Sequence, residues 1–310
     1  YGDLSRYFLP ETDPAFIALS RMPHQDGVVQ FYSTKESLRT ITDPYFRGYD
    51  MKYPDYWRFK EWEREFNQHV RNRNLPNLSL VRLPRDHFGD YATSIDGVNT
   101  VETQMADNDY ALGLLIEKVA NSPYRHNTLI CVIEDDAQNG PDHVDAHRSI
   151  AYVVGPYVKQ DALVSEHYTT VSMLRTIEDV LGIKPMGLND GLAEPMAEIF
   201  DKRKRLWNYR AIVPEVLRTT QLPLPPRTAA LGDSALKRDA AYWENAMSGQ
   251  NFTGEDQLDE PRFNRALWIG LKGEHVPFPT VRHGRDLRKN RAALLKRFAT
   301  RIEGPAIASN

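Results

Sequence analysis

The stretch TLICVIEDD at residues 128–136 decides the expected fold, because an uninterrupted apolar run leads directly into three consecutive carboxylates. An apolar run without polar alternation is typical of a strand buried on both faces, as in a parallel sheet. Two further segments have strand character: LPNLSLVRL at 75–83 and RSIAYVVG at 148–155. The sequence therefore predicts strands at 75–83, 128–134 and 148–155.

Three segments with helical periodicity lie around these strands. Trp57, Trp62, Phe66 and Val70 recur at helical spacing and predict an amphipathic helix over 55–74. Segment 105–122 predicts a second helix, and segment 167–182, which ends in a glycine, predicts a third. For the second helix, the expected N-terminal capping residue is Asp107 or Asn108.

The order strand, helix, strand, strand, helix predicts the α/β class, with a mostly parallel central sheet flanked by helices. In such sheets the active site lies beyond the carboxyl ends of the strands. Residues 1–205 are expected to form one partial α/β domain. After the composition change near residue 205, which includes the proline-rich stretch QLPLPPRT at 221–228, residues 206–310 are expected to form a C-terminal extension packed on the same domain.

Composition excludes several functional classes for this chain of 310 residues. The formal net charge is −3, so no global basic field favours nucleic acid as a partner. The longest apolar runs are far shorter than the roughly 20 residues that cross a bilayer, so no transmembrane segment is expected. The single cysteine, Cys131, excludes internal disulfides and cysteine-based zinc sites. The basic tail near residues 281–301 is interpreted as a solvated helix that docks on the domain, with contact to nucleic acid, a membrane or an acidic partner as the alternatives.

Residues 134–148 concentrate five carboxylates and two imidazoles in 15 residues. Adjacent carboxylates at the rim of an apolar core repel one another and need compensation by a cation, an arginine or raised pKa values. Carboxylate and neutral imidazole are natural ligands of divalent cations. Asp135, Asp136 and His143 are the candidate metal ligands, although the two aspartates could instead cap a turn and His143 could serve as a structural hydrogen-bonding group.

A second polar cluster, RDHFGD at 85–90, follows the predicted strand 75–83. Parallel strands would bring Asp86 and His87 to the same sheet edge as the first cluster. Two Asp/His clusters at one edge favour a two-metal or metal-plus-histidine site for phosphoryl chemistry. The competing interpretation of Asp86 and His87 is an ordinary surface loop.

Several motifs together resemble the bacterial phosphoesterase family, which includes acid phosphatases and phosphatidylcholine-type phospholipases C and belongs to the alkaline phosphatase superfamily. The likeness runs in order from the first residues to about residue 200. The later segments LNDGLAEPMAEIF and FNRALWIGLKG are also similar to this family. The motifs that carry the resemblance are LPRDHFGDY, ADNDYALG, VIEDDAQNGPDHVDAHRS, GPY and HYTTVSMLRTIEDVLG.

The resemblance implies an alkaline phosphatase-like α/β sandwich and a metal-dependent hydrolase of phosphate esters. By this likeness Asp135 and Asp136 bind one metal ion, and Asp86, His87 and His143 bind a second or hold phosphoryl oxygens. His147 and Arg148 would orient ligands or neutralise phosphate. The metal could be Zn, Mn, Ca or Mg, and phosphomonoesters, nucleotides and phospholipids all stay open as substrates. The family also implies a periplasmic or secreted protein.

One departure from the family concerns the nucleophile, a Ser or Thr at a helix N-terminus that follows an earlier strand with a metal ligand. Residues 1–54 contain neither feature. The chain is therefore expected to correspond to the C-terminal part of a phosphoesterase that lacks the N-terminal strands of its sheet. The nucleophile and part of the metal site are then expected upstream of this chain.

Two other functions compete with phosphoester hydrolysis. In the first, the acidic cluster holds a structural cation, often Ca²⁺, in a non-catalytic module or an inactive fragment. In the second, two of the carboxylates act as acid and base of a glycosidase. The histidines at metal-like spacing argue against the glycosidase, because glycosidases do not need them.

Overall fold

The computed structural model of the chain describes residues 17–31, 33, 35–134, 149–227, 236–253 and 257–278. These residues fall into two compact units, one drawn from 1–132 with 152–258 and the other from 133–151 with 259–310. The α-helices are α1 Pro23–Asp26, α2 Glu36–Arg39, α3 Asp55–Asn72, α4 Val101–Ala120, α5 Thr170–Leu181, α6 Leu188–Leu192, α7 Ala240–Ala246 and α8 Glu260–Lys272. The strands are β1 Ile130–Ile133 and β2 Ala151–Val154. Short 3-10 turns cover Pro84–His87, Ile95–Gly97, Pro123–His126, Ala197–Ile199 and Glu215–Thr219.

The expected α/β sandwich with a parallel central sheet is wrong for the described part of the chain. Helix accounts for 43% of it and strand for 4%, and its single sheet is the two-stranded antiparallel pair β1–β2. Both strands lie inside predicted strand segments, but neither is buried on both faces, since Ile133, Ala151 and Tyr152 are exposed. An uninterrupted apolar run therefore predicted the strands correctly and their burial incorrectly.

The direction of the strand pair follows from its connection. A parallel pair needs a crossover, usually a helix, whereas consecutive strands without one pair antiparallel. The sequence between β1 and β2 has no helical periodicity. The expected parallel arrangement of these two strands therefore lacks the crossover helix that it would need.

The third predicted strand, 75–83, is not a strand in the structure. Its backbone forms no ladder with another described segment, and Leu78 and Leu80 are exposed to 49% and 88%. Alternating apolar residues favour an extended backbone, but a strand exists only where a neighbouring chain accepts its hydrogen bonds. No described segment supplies that neighbour here.

The predicted long helices are confirmed, with small shifts at their ends. Helix α3 begins at the predicted residue, and α5 ends at Gly182 with a left-handed φ of 68°. Helix α4 begins four residues earlier than predicted, because Thr100 and Thr103 form a reciprocal capping box at its N-terminus. The expected cap at residues 107–108 of this helix is therefore wrong.

The main apolar core lies between α3 and α4. Phe59 and Phe66 of α3 pack with Ala111, Leu115 and other residues of α4 in one buried cluster. The remaining buried members of this cluster are Ile116, Val119, Ala120 and Trp207. Matching amphipathic stripes on two helices are enough to form such a core.

Described residues between 206 and 258 belong to the same compact unit as α3 and α4. Trp207 joins the α3–α4 cluster and donates its indole N–H to the carbonyl oxygen of Arg125 at 2.8 Å. Leu217 and Leu222 pack in a second cluster with Tyr56 and other residues of the same unit. The predicted division of the chain at residue 205 stays a prediction.

Membrane insertion of a helix was not expected from the sequence. Within the described ranges, every helix is too short or too polar to cross a bilayer.

Candidate functional site

Asp86 and His87 lie on the 3-10 turn Pro84–His87, which begins with a proline. Proline suits this position, because an N–H at the start of a helical turn has no partner within the turn. The side chains of Asp86 and His87 are half-buried, whereas Arg85 is fully buried and Phe88 is buried. The turn therefore places one carboxyl group and one imidazole at partly accessible positions between two buried anchors.

The backbone directly after this turn is strained. Phe88, Gly89 and Asp90 have consecutive positive φ angles of 58°, 126° and 49°. A non-glycine residue in such a conformation costs about 1–3 kcal/mol and persists only where the surroundings enforce it. Gly89 has no room for a side chain, since a Cβ there would lie 2.6 Å from Cδ1 of Phe252. Strain of this kind next to a candidate site is a common feature of functional loops.

Two helices hold the ends of this segment through side-chain hydrogen bonds. Asp55 at the start of α3 accepts the backbone N–H of Arg85 at 3.1 Å through Oδ2. Gln104 of α4 accepts the N–H of Gly89 at 3.0 Å and donates its amide to the carbonyl oxygen of Gly89 at 2.8 Å. The residues between these two attachments are Asp86, His87 and Phe88.

Four fully buried charged side chains lie beneath the turn: Asp55, Arg58, Arg85 and Asp107. Arg58 and Asp55 form an ion pair at 2.8 Å. The carboxyl group of Asp107 accepts the backbone N–H of Asp55 at 2.6 Å and of Tyr56 at 3.0 Å. Buried charges are tolerated only when they are paired and hydrogen-bonded, and Asp55 and Arg58 meet that condition as an ion pair.

Burial also changes the pKa values of this group. Burial, reinforced by the nearby charge of Asp55, raises the pKa of Asp107 to about 7, although Arg85 and the two backbone N–H groups oppose the shift. Burial lowers the pKa of the Arg85 guanidinium. Its Nη2 donates to Ser94 Oγ at 3.1 Å and to the carbonyl oxygen of Val98. Within the described ranges, Nε and Nη1 of Arg85 have no hydrogen-bond partner.

An aromatic ring borders the imidazole of His87. The rings of Tyr49 and His87 meet edge to face with their centroids 5.3 Å apart. The guanidinium of Arg82 lies over the same Tyr49 ring, 5.7 Å from its centroid. A cation at this position would favour an anionic ligand near His87.

The other predicted site residues, Asp135, Asp136, His143, His147 and Arg148, lie outside the described residues. The residues that flank them are described. Glu134 donates its backbone N–H to the carbonyl oxygen of Ile150 at 3.1 Å, and Ser149 Oγ donates to the carbonyl oxygen of Glu134 at 2.6 Å. The described residues on the two sides of the acidic segment are therefore hydrogen-bonded to each other.

The donor chemistry of Asp86 and His87 fits a divalent metal ion, since carboxylate and imidazole are both accepted by Zn²⁺ and Mn²⁺. Two donors are half of the four ligands that zinc usually takes. The described ranges contain no group of three or more His, Cys, Asp or Glu side chains arranged to hold a metal ion. The assignment of Asp86 and His87 as ligands stays a prediction.

Sequence reasoning missed two residues that support the turn, Gln104 and Asp107. Both lie on the face of α4 that also carries Ala111, at spacings of three and four residues. Polar residues that lie on the apolar face of a helix can be predicted from the sequence to be buried and hydrogen-bonded. The sequence predicts Asp107 as a cap of its own helix, whereas its carboxyl group accepts hydrogen bonds from the backbone N–H groups of Asp55 and Tyr56 in α3.

Comparison with protein-family models, curated proteins and solved structures found no match to this chain. The resemblance to the phosphoesterases therefore depends on the sequence motifs alone.

Proposed function

We propose that this chain belongs to a metal-dependent hydrolase of phosphate esters, of the phosphatase or phospholipase C type. The observation that carries the proposal is the stretch EDDAQNGPDHVDAHR at 134–148, with its five carboxylates and two imidazoles. Carboxylates and imidazoles that are this close together in the sequence are expected where a divalent cation is bound. Asp135 and Asp136 would hold one metal ion, and His143 would bind a second metal ion or contact phosphoryl oxygens together with Asp86 and His87.

The turn that carries Asp86 and His87, with the strained backbone directly after it, supports the proposal independently. The positive φ angles of Phe88, Gly89 and Asp90 are unfavourable in isolation. Hydrogen bonds from two helices hold the backbone at Arg85 and at Gly89, on either side of Asp86 and His87. An arrangement of this kind is expected where ligands must be fixed before a metal or phosphate binds. Asp86 and His87 would bind a second metal ion or contact phosphoryl oxygens.

The chemistry divides between the metal and the side chains. A bound divalent cation polarises the phosphate and lowers the barrier to attack on phosphorus. Arg148 would neutralise a phosphoryl oxygen through its planar guanidinium, which matches phosphate geometry. His147 would orient a ligand or exchange a proton with the substrate. The nucleophile is not among these residues, so metal binding is the first property to test. Export to the periplasm or the medium stays a prediction.

The test compares metal content, measured by plasma mass spectrometry, in the wild-type protein and in an Asp135→Asn/Asp136→Asn variant. The matched control is Asp142→Asn/Asp145→Asn, which removes the same charge from the same segment. We expect stoichiometric metal in the wild type and the control, and loss of metal in the first variant. Hydrolysis of an aryl phosphate by the natural protein should follow the same pattern.

Each result has a separate meaning. Stoichiometric metal without hydrolysis would favour a non-catalytic cation-binding module, which uses the same residues. Equal loss of metal in both variants would show that net charge, rather than two specific ligands, determines binding. A folded wild-type protein without metal would overturn the proposal.

A further inference from the structure

The turn and the strained backbone after it are attached to the helices at two points, which lie on either side of the candidate residues Asp86 and His87. Asp55 of α3 holds the backbone N–H of Arg85, one residue before Asp86. Gln104 of α4 holds both the N–H and the carbonyl oxygen of Gly89, two residues after His87. The three residues between the attachments therefore have little freedom to rearrange while both remain.

The attachment at Gly89 differs from an ordinary loop contact because a single side chain satisfies both backbone groups of one residue. Gln104 is fully buried, so neither hydrogen bond competes with solvent. The attachment also lies within the positive-φ segment of Phe88, Gly89 and Asp90, where the chain by itself would relax.

We propose that Gln104 is a positioning residue, which acts through the backbone of Gly89 to fix the orientation of Asp86 and His87. The role of these two side chains as metal ligands rests on the proposed function, whereas the attachment itself does not. Loss of a group that orients a ligand lowers metal affinity by about 10–100-fold in characterised sites. A comparable loss is expected when Gln104 can no longer hold Gly89.

Two variants of Gln104 weaken the attachment of Gly89 to different extents. Gln104→Met keeps a side chain of similar length and removes both hydrogen bonds to Gly89. Gln104→Glu keeps the acceptor for the Gly89 N–H and removes the donor to the carbonyl oxygen. The matched control is Gln30→Met, because the Gln30 side chain is also buried and makes two hydrogen bonds, to Val28 and Arg47. Gln104 makes the two to Gly89 and a third, longer one to the carbonyl oxygen of Val98 at 3.5 Å.

The measurement is the NMR signal of the His87 imidazole Cε1–H group, recorded without metal and during titration with Mn²⁺. We expect Gln104→Met to shift and broaden the His87 signal, Gln104→Glu to do so less, and Gln30→Met to leave it unchanged. In the titration, Mn²⁺ should broaden the wild-type His87 signal, and Gln104→Met should require about 10–100-fold more metal for the same broadening.

The two parts of the experiment separate the inference from the proposed function. An unchanged His87 signal in folded Gln104→Met protein would overturn the positioning role. Should Gln104→Met fail to fold, an unchanged His87 signal in Gln104→Glu would overturn it equally. A wild-type His87 signal that Mn²⁺ does not affect would overturn the metal role of His87, and a shift confined to the Gln104 variants would still support the positioning role.

Discussion

The helical pair α3–α4 and the strand pair β1–β2 bury their apolar side chains to very different extents. Phe66 of α3 is 3% exposed and Ala111 of α4 is fully buried, whereas Ile133 and Tyr152 in the strands are 40% and 56% exposed. A helix satisfies its backbone internally and needs one apolar partner face. A strand needs a neighbour for its hydrogen bonds and cover for its faces, and two strands alone are marginal in water. The strand pair still contacts this core, because Ile130 and Val154 pack against the α3–α4 cluster. The comparison teaches that the two helices form the centre of the core, whereas the strands contribute only some of their apolar side chains to it.

The largest expected effect that tests this comparison is on the helical side. Phe66→Ala should lower the free energy of unfolding by about 3–5 kcal/mol, because it opens a cavity in the α3–α4 cluster. Urea-induced unfolding followed by circular dichroism measures this change. A loss below about 1 kcal/mol would contradict a close-packed helical core.

The second prediction concerns the buried charges that join the same helices. Asp107 has a pKa near 7 in the folded protein against an ordinary 3.8, so its proton is held more tightly when the chain is folded. The contribution of Asp107 to the free energy of unfolding is therefore complete below about pH 4 and is lost as the pH rises through 7.

Asp107→Asn should remove this pH dependence while keeping the shape of the side chain. The informative quantity is the wild-type free energy of unfolding minus that of the variant, measured from pH 4 to pH 8. This difference isolates Asp107 from Glu61, whose pKa burial also raises to about 7. A difference that is constant across the pH range would show that Asp107 is ionised throughout.

The smallest effect is expected in the strand pair. Tyr152→Ala should change the free energy of unfolding by no more than about 0.5 kcal/mol, since the side chain is 56% exposed. The change in the free energy of unfolding is measured by urea-induced unfolding under the same conditions as for Phe66→Ala, and we expect it to be the smaller of the two. A loss of 2 kcal/mol or more would show that Tyr152 is covered in the folded protein and would remove the contrast between the two pairs.

The candidate site could be predicted from the sequence only in part. The clustering of carboxylates and imidazoles at 134–148, and the adjacent Asp86 and His87, were visible as residue types in the sequence. The support given by Gln104 and Asp107 was not predicted, because each contacts backbone that is distant in the chain: Gly89 for Gln104 and the start of α3 for Asp107. Side-chain contacts of this kind carry no short-range signal apart from their position on a helix face.

Sequence by itself determined the long helices of this protein and the composition of its polar clusters. The periodicity of α3, α4 and α5 is a local property, and hydrogen bonds within each helix follow from it. The tertiary structure alone decided that 75–83 forms no strand, that β1 and β2 run antiparallel, and that Asp107 caps α3 rather than α4. Strand pairing and the placement of buried charges depend on partners far along the chain, and a local pattern cannot specify which partner is present.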